Sequence, residues 1–452
     1  MRPIDTPMTS RRAALGLFAL ALAGATALGS GQARAQVSPA PAQLIVGDVA
    51  AASLYVFGAP EFQLLASFDD IAFGAHAGVV ALPDGRVLIP DDRNKQLVVL
   101  KLGTGAPTIE KRVPMPIPLP SRYAWAAVDP SQSVYAATNL DSDESVKILT
   151  LVDLKTYATK QFRIDVGAAD AELNFALGGD PEPVVILHLA EKAESYRVAD
   201  LMAAGAKING ILDGTIKPAS TLPLGKGGHS DSFSAASKRW TGSTLRGFEI
   251  ATLKDAALTE HKTLSWEADE RGGGRNARQR LTADGGHVFG PLAASVPPAQ
   301  WAEAEVDLHW VDLAKQTARR MPLAKGAVGR GGVSEKLAVY ASIHSDGDHA
   351  NLVDVDPASA SFRQVVGRVT LPKLVNGPVP GKPTAGAEGR HSAITPDGRL
   401  AFVTQGGEGK VAVIDTATKA VVRTIETPTP LKGGAYVVGV QMGAVSADLS
   451  AR

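Results

Sequence analysis

Short runs of β-branched and other apolar residues alternate with tight turns along most of the chain. In the clearest example, a run that begins at His391 ends in the turn Pro396-Asp-Gly, and a second run, Leu400–Thr404, follows. Two more apolar runs come next, Lys410–Asp415 and Ala420–Ile425. Runs of this length separated by turn residues are typical of β-strands. This region therefore predicts four successive antiparallel strands.

Weaker copies of the same unit recur about every fifty residues. A close copy starts at His76 and turns at Pro83-Asp-Gly. The first turns of all the copies fall near Pro83, Pro130, Asp180, Ala236, Ala283, Ser334 and Pro396. Such a period, with four strands in each repeat, is typical of β-propeller blades. We therefore predict an all-β chain that forms a single β-propeller, with no helix longer than a short one near Tyr196–Ala204.

The two ends of the repeat region complete the ring. Residues Gln43–Phe68 predict strands of a further blade that lacks its first strand, and Ala435–Gln441 predicts one strand on its own. Joining them closes the ring with strands from both termini, which removes an exposed sheet edge. The count is then eight blades. Seven blades is the alternative if the weak repeat near Asp180 is irregular.

The N-terminal segment has the organisation of an export signal. Thr9-Ser-Arg-Arg is followed by the uncharged apolar run Ala13–Leu28 and then by Ala33-Arg-Ala. This order describes a secretory signal, and the paired arginines favour the twin-arginine type over an ordinary one. The apolar run is short for a membrane-spanning helix. We expect residues 1–35 to be a signal peptide and residues 36–452 to be a periplasmic propeller without stable membrane insertion.

Composition narrows the kinds of partner and chemistry. The chain has 46 basic and 46 acidic side chains, so its formal net charge is zero. That balance does not indicate a nucleic acid as the partner. The chain contains no cysteine. Disulfides, thiolate metal sites and cysteine nucleophiles are therefore excluded, and burial of a core must stabilise the fold.

Histidines recur where the repeats would reach the central channel. In a propeller the first strand of each blade lines the channel, and the segments before these strands converge at one mouth. Alignment on the turns places His76, His229 and His391 there, with Asp231 at the His391 position of its own repeat. Imidazoles with one carboxylate are a common ligand set for zinc. We predict a zinc site formed by these four residues; the alternative is a set of polar channel-lining residues that bind water.

A second cluster of potential ligands is His344-Ser-Asp-Gly-Asp-His349. It links two predicted strands, so we expect a mobile loop in which His344 and His349 capture a cation transiently. The alternative is a polar hairpin in which Asp and Gly serve the turn. The spacing excludes an EF-hand. His188 and His309 lie inside predicted strands and are expected to be packed or hydrogen-bonded rather than ligands.

The Pro-Asp-Gly-Arg turns and the strand at Lys410–Lys419 resemble the YVTN and cytochrome-d1-type propeller superfamily, which implies the fold. The segments Gly74–Pro83, His229–Ser237 and His344–His349 resemble the periplasmic propeller zinc metallochaperones. That family delivers zinc to the binding protein of an ABC importer. Its zinc is bound by histidines at the channel mouth, and a mobile His/Asp-rich loop assists. The present chain lacks the cysteines of that family and carries its His/Asp segment late.

The resemblance implies that His76 and His229 are zinc ligands and that His344 and His349 are loop ligands. The expected function is therefore a periplasmic zinc carrier for a zinc-uptake system, with a substrate-binding protein of a metal ABC importer as its partner. A metal-dependent propeller enzyme, such as a lactonase-like hydrolase or an oxidoreductase accessory, is one alternative, and a protein-interaction scaffold is another. The histidine-rich set suits zinc better than calcium.

Overall fold

The structure is a computed structural model, and its regular elements are almost all β-strands. It describes residues 42–72, 78–117, 122–140, 145–167, 173–179, 181–204, 209–265, 279–293, 304–374, 389–432, 435–441 and 450–451. Within these ranges the strands form eight sheets, six of four strands and two of five. Each sheet is one blade of a β-propeller, so the predicted fold class and the count of eight blades are confirmed.

The first strands along the chain belong to the last blade and to blades 1 and 2. Blade 8 contains β1 (Ala42–Asp48), β2 (Ser53–Gly58) and β3 (Gln63–Phe68). Blade 1 contains β4 (Val80–Ala81), β5 (Arg86–Asp91), β6 (Gln96–Lys101) and β7 (Thr108–Pro114). Blade 2 contains β8 (Arg122–Val128), β9 (Val134–Leu140), β10 (Val146–Asp153) and β11 (Thr159–Asp165).

Blades 3 to 5 follow the same order from an inner to an outer strand. Blade 3 contains β12 (Asn174–Gly178), β13 (Val184–His188), β14 (Lys192–Arg197) and, after helix α1 (Val198–Ala203), β15 (Ser220–Pro223). Blade 4 contains β16 (His229–Ser234), β17 (Arg239–Ser243), β18 (Gly247–Lys254) and β19 (Ala257–Ser265). Blade 5 contains β20 (Arg280–Leu281), β21 (His287–Ala293), β22 (Glu305–Asp312) and β23 (Thr317–Lys325).

Blade 6 has a divided inner strand, and the remaining strands complete the ring. Blade 6 contains β24 (Ala327–Val328), β25 (Gly332–Val333), β26 (Leu337–Ile343), β27 (Asp348–Asp354) and β28 (Val365–Leu371). Blade 7 contains β29 (Ser392–Ile394), β30 (Leu400–Gln405), β31 (Lys410–Asp415) and β32 (Ala420–Glu426). The last two strands are β33 (Ala435–Gln441), in blade 8, and β34 (Ser450–Ala451), which pairs with β8.

The ring closes between the two ends of the repeat region, as predicted. Strand β33 pairs antiparallel with β1 over its whole length, with Gln43 opposite Val440. Blade 8 therefore takes its inner strand from late in the chain and its three outer strands from early in it. The Asp48 carboxylate also accepts a hydrogen bond of 2.8 Å from the Leu431 backbone N–H. The irregular blade is blade 3, where α1 interrupts the path to the outer strand.

Burial is greatest in the middle strands of the blades and least in the outer strands. In β6 four consecutive residues, Leu97–Leu100, are fully buried, because each blade packs between two neighbours and both faces of its middle strands are covered. The outer strand β7 is largely exposed. No helix in the described part of the chain has the length and hydrophobicity to cross a membrane.

Candidate functional site

One face of the ring carries both predicted ligand clusters. Because successive strands in a blade are antiparallel, the segments before the inner strands and the hairpins between the second and third strands share one face. We call it the mouth face. His391 precedes β29 there, and the hairpin at residues 344–347 joins β26 to β27 on the same face. His76 lies outside the described residues.

His391 lies at the mouth end of the inner strand of blade 7, as predicted. Its backbone N–H donates a hydrogen bond of 2.8 Å to Thr404 Oγ1. Its ring meets Tyr436 of blade 8 edge to face, with 6.3 Å between ring centroids. The side chain is partly buried. The imidazole therefore lies beside the inner strand of the neighbouring blade.

His229 begins β16, and a β-bulge follows it at once. Ser230 has a φ of 62°, and the pairing register with β17 shifts between His229 and Asp231. The Ser230 N–H donates to Asn174 Oδ1 at 3.2 Å, and Ser230 Oγ accepts a hydrogen bond of 2.7 Å from the Gln279 N–H. Neighbouring blades thus hold the bulge from both sides. The bulge interrupts the alternation of side chains, so residues two apart no longer share a face by default.

Asp231 does not face the channel beside His229. Its carboxylate is fully buried and accepts a hydrogen bond of 2.7 Å from His188 Nδ1 in β13 of the preceding blade. Asp231 lies three residues before Ser234, which pairs with Arg239 across the first turn. The prediction that Asp231 occupies the His391 position was wrong, because the counterpart of Pro396 in the turn of this blade is Ala235, one residue before the Ala236 on which the repeats were aligned.

The true counterpart of Asp231 in blade 7 is Ser392. It lies three residues before Thr395, whose N–H bonds to the Leu400 carbonyl across the equivalent turn. Ser392 Oγ accepts a hydrogen bond of 3.0 Å from the Ala341 N–H in the second strand of blade 6. Both positions therefore contact the second strand of the preceding blade. Both positions thus form contacts across a blade boundary.

The His188 ring is closely packed against Gly228 and Trp240 of the next blade. A Cβ on Gly228 would lie 2.5 Å from its Nε2, and the Trp240 ring packs edge-on at 5.5 Å. Since the carboxylate of Asp231 accepts from Nδ1, the neutral imidazole keeps its lone pair on Nε2. That atom is buried and has no hydrogen-bond partner among the described residues. His188 is hydrogen-bonded inside a strand, as predicted, but its bond to a residue of the next blade had no signal in the sequence.

The His344–His349 segment is a short hairpin. The Gly347 N–H donates to the His344 carbonyl at 3.2 Å, and β27 begins at Asp348. His349 lies in that strand opposite Ser342. The expectation of one mobile loop through His349 was therefore wrong, because strand pairing extends to Asp348. The backbone of this segment instead forms the hairpin that was given as the alternative.

A buried ion pair joins this hairpin to the segment that carries His391. Arg390 Nε and Nη2 both lie 2.8 Å from Asp348 Oδ2, and both side chains are almost completely buried. Arg390 Nη2 also donates to the Pro372 carbonyl. Burial lowers the pKa of Arg390, and Asp348 opposes that shift. The two predicted ligand clusters are thus linked through residues adjacent in sequence to His391 and His349.

A cavity of about 460 Å³ lies beside the hairpin, between blades 5 and 6. Its lining brings together both histidines of the hairpin segment and three carboxylates, together with two cations: His344, His349, Asp346, Glu305, Asp307, Lys325 and Arg368. His344 Nε2 is buried there and has no hydrogen-bond partner in the described structure. In the described ranges, no group of three or more His, Asp and Glu side chains is already arranged to hold a metal ion.

The hydrogen bonds of His344 determine which of its ring nitrogens is available to a metal ion. Its Nδ1 accepts a hydrogen bond of 3.1 Å from the Asp346 N–H, so in the neutral ring the hydrogen is on Nε2. A metal at Nε2 requires the hydrogen on Nδ1 instead. The Asp346 carboxylate lies 3.6 Å from Nδ1 and would accept that hydrogen after a small movement. Ligation at His344 therefore needs a change of tautomer within the hairpin.

Comparison with known proteins places the chain by its fold. No protein-family model matches the chain. No curated protein matches it either. Among solved structures, apo AztD from Citrobacter koseri is similar with a TM-score of 0.61 at 14% identity, over 90% of this chain and 100% of that chain.

Two further structures have the same architecture. A second structure of Citrobacter koseri AztD gives a TM-score of 0.59 at 14% identity, covering 88% of this chain and 98% of that chain. The dihydro-heme d1 dehydrogenase NirN, in complex with DHE, gives 0.52 at 16% identity, covering 87% of this chain and 74% of that chain. The sequence resemblances to two propeller groups are thus matched by structural likeness, which at these identities shows the fold alone.

Proposed function

We propose that the protein is a periplasmic zinc carrier that captures the ion at the hairpin cavity and holds it at the channel mouth, without catalysis of its own. One observation carries this proposal: His344 and His349 line a single cavity with three carboxylates. Imidazole and carboxylate are ligands that zinc accepts, and the mixture suits a borderline metal better than a hard one.

The cavity suits temporary capture of zinc rather than permanent storage. His344 offers a buried Nε2 without a partner, whereas the side chain of Asp346 is 89% exposed and free to move. Lys325 and Arg368 at the same cavity oppose a dication electrostatically. Their charge would weaken binding and favour release to a tighter site.

We assign the tighter site to His76, His229 and His391 at the channel mouth. His391 follows Arg390, whose ion pair with Asp348 connects the mouth to the hairpin. Asp231 would join as a fourth ligand through Oδ2, because its Oδ1 accepts the hydrogen bond from His188. Zinc is the cargo in this scheme, so the chain's own task is to bind, hold and release it.

The remaining parts of the proposal come from the resemblance to the periplasmic zinc metallochaperones. Residues 1–35 would direct export and be removed, and the mature propeller at residues 36–452 would act in the periplasm. Its partner would be a periplasmic substrate-binding protein of a metal ABC importer. The structural likeness to AztD is compatible with this assignment and extends over 90% of the chain.

Zinc titration of the mature protein against competing chelators tests the proposal. The parent should bind zinc tightly, and His229→Ala or His391→Ala should abolish the tight component with the fold intact. The double variant His344→Ala/His349→Ala should keep the tight component but load and release zinc more slowly. Ligating imidazoles must be neutral, so affinity should fall below about pH 6.5.

His261→Gln is the matched control for loss of a histidine. His261 is exposed and bonds to Glu249 at 2.9 Å, a contact that glutamine can keep, so zinc binding should not change. A parent protein that binds no zinc, or a His229→Ala variant that binds it as tightly as the parent, would contradict the proposal.

Export is tested separately in cells. Replacing Arg11 and Arg12 together with lysine should stop accumulation of the mature protein in the periplasm if the signal is of the twin-arginine type. Normal export of this variant would assign the signal to the ordinary secretory route. Retention of the parent in the cytoplasm would overturn the periplasmic assignment.

A further inference from the structure

Blade 2 has a strand that the repeat does not require. Its sheet runs in the order β11, β10, β9, β8 and β34, so β34 lies beyond the inner strand, on the side that faces the channel. The other five-stranded sheet among those described, in blade 6, gains its fifth strand because its inner strand is divided. Strand β34 is therefore an addition inside the channel rather than a member of a repeat.

The register of β34 directs it towards the mouth face. Ser450 lies opposite Ala127, and Ala451 lies opposite Ala126. Because β8 starts at the mouth face and the pairing is antiparallel, β34 runs towards the mouth from the other end of the channel. It therefore covers the channel edge of β8 as far as Ala126, the residue that follows Trp125 in the sequence.

Trp125 contacts one of the proposed zinc ligands. Its ring meets the His229 ring edge to face, with 6.1 Å between the ring centroids. Trp125 belongs to blade 2 and His229 to blade 4, and blade 3 lies between these blades in the ring. Side chains of their inner strands can meet only where they extend past the inner strand of blade 3, into the channel or its mouth. The edge that β34 covers is therefore next to the surroundings of His229.

The pairing of β34 with β8 is short. Two residue pairs join these strands in the described structure, whereas β33 pairs with β1 over seven. Each backbone hydrogen bond adds little net stability, because the separated groups bond to water instead. Short ladders of this kind open locally without unfolding of the rest of the protein. Strand β34 can therefore open and close while the ring, which is closed by β33, stays intact.

We propose that β34 is a displaceable closing strand that limits access to His229 from the channel. When it is paired, it occupies the channel edge beside Trp125, which is 4% exposed, and keeps that ring against the imidazole. When it opens, it exposes both rings to solvent and to an entering ion. Its role in zinc exchange rests on the zinc-carrier function proposed above, whereas its effect on access to His229 does not.

Chemical modification of histidines tests this access without any metal. Diethyl pyrocarbonate acylates neutral imidazoles, and peptide mass spectrometry measures the rate at each histidine. In the metal-free mature protein, removal of residues 442–452 should speed modification of His229 about tenfold, because the reaction no longer waits for β34 to open. His261 is the control, since it lies in the outer strand β19 and should react equally fast in both proteins.

Two double variants keep the full chain and differ in the backbone donors of β34. Ser450→Pro/Ala451→Pro removes both N–H groups, so His229 should react as fast as in the truncated protein. Ser450→Thr/Ala451→Val keeps both N–H groups and favours a strand, so His229 should react no faster than in the parent.

Zinc release to an excess of chelator then tests the role in exchange, and it should be about tenfold faster in the truncated protein and in the proline variant than in the parent. Equal modification of His229 in the parent, truncated and proline proteins overturns the inference, whatever zinc does. Faster modification with unchanged zinc release overturns the role of β34 in exchange. A parent that binds no zinc contradicts the zinc-carrier function alone, and the His229 rates still decide whether β34 limits access.

Discussion

Two blade boundaries each contain a buried pair of polar side chains: the boundary between blades 3 and 4, and the boundary between blades 6 and 7. The two pairs differ in the number of contacts that hold them. The first contains His188 and Asp231 at 2.7 Å, and the second contains Arg390 and Asp348 at 2.8 Å. His188 and Asp231 form one bond, and an acceptor atom on each side chain has no hydrogen-bond partner among the described residues. Arg390 and Asp348 are tied into further backbone contacts at Pro372 and Thr404.

The difference shows that the repeat determines where a residue lies in its blade but not which chemical group that residue carries. Asp231 and Ser392 occupy the same place in their blades, and both reach the second strand of the preceding blade. One bonds to an imidazole and the other to a backbone N–H. A position that is structural in blade 7 thus holds a buried acid–imidazole pair in blade 4. Each boundary can be tested by substituting one member.

Asp348→Ala should have the largest effect. It leaves the Arg390 guanidinium buried and unpaired, which should lower the free energy of unfolding by about 3–5 kcal/mol. Chemical denaturation measures this loss. Asp346→Ala, two residues away and 89% exposed at the side chain, should change stability by less than about 0.5 kcal/mol. Equal effects from the two substitutions would mean that the Arg390 pair is not important for stability.

The boundary between blades 4 and 5 contains a buried histidine, His309, which packs against the Phe248 ring. Burial lowers the pKa of His309 from 6.5 to about 4, and Arg320 adds to the shift. Below pH 6.5 the His309 side chain binds a proton in the unfolded chain but not in the folded protein. The free energy of unfolding therefore decreases as the pH falls from about 6.5 to about 4.

The loss of unfolding free energy caused by His309 should reach ~3 kcal/mol at pH 4. His309→Leu keeps an apolar contact with the Phe248 ring, which lies 5.7 Å away in the parent, and removes the titration. The difference in unfolding free energy between the parent and His309→Leu should therefore shift in favour of the variant as the pH is lowered. A difference that is constant from pH 7 to pH 4 would show that His309 titrates normally.

Asp231→Ser should have an intermediate effect, because it places the blade 7 residue at the blade 4 boundary. His188 then loses its acceptor inside a dry site, and the expected cost is about 1–3 kcal/mol. Asp231→Asn keeps an acceptor oxygen for Nδ1 and should recover most of that loss. If serine were as stable as aspartate, the two boundaries would be interchangeable. Denaturation with both variants in parallel decides this.

Ser392→Ala should have the smallest effect of the series. It removes one neutral hydrogen bond to the Ala341 N–H, at a cost of about 1 kcal/mol. Comparing this loss with that of Asp231→Ser measures how much the acid–imidazole pair adds at the same position. A larger loss in blade 7 than in blade 4 would reverse the ranking proposed for the two boundaries.

The propeller could be predicted because its signals are local and repeated. The Pro83 and Pro396 turns each separate two apolar runs, and such signals average over many copies. The predicted strand Lys410–Asp415 is β31 in the structure, and the predicted run Ala420–Ile425 lies in β32. Ring closure followed from counting: one blade lacked an inner strand and one strand lacked a blade. The short helix near Tyr196–Ala204 is α1.

The site could be predicted only where it followed the repeat. His391 was found because it precedes its turn by about as many residues as His76 and His229 precede theirs. Asp231 was misaligned by one residue because the turn of its repeat, at residues 235–238, lacks the Pro-Asp-Gly that marks the turn after His391. The pairs His188–Asp231 and Arg390–Asp348 join residues 43 and 42 positions apart. Contacts of that range depend on how blades pack, which a single sequence does not reveal.

The pairing of β33 with β1 sets an order in which the protein can be completed. These strands are separated by nearly the whole repeat region, so their pairing closes the longest loop in the fold and is expected late in folding. During synthesis β1 emerges first and has no inner partner until residues 435–441 have been made. A chain truncated before that point presents an open strand edge, which favours aggregation and proteolysis. A complete ring therefore differs from any chain that ends before residue 435, because only in the complete ring are both edges of β1 paired.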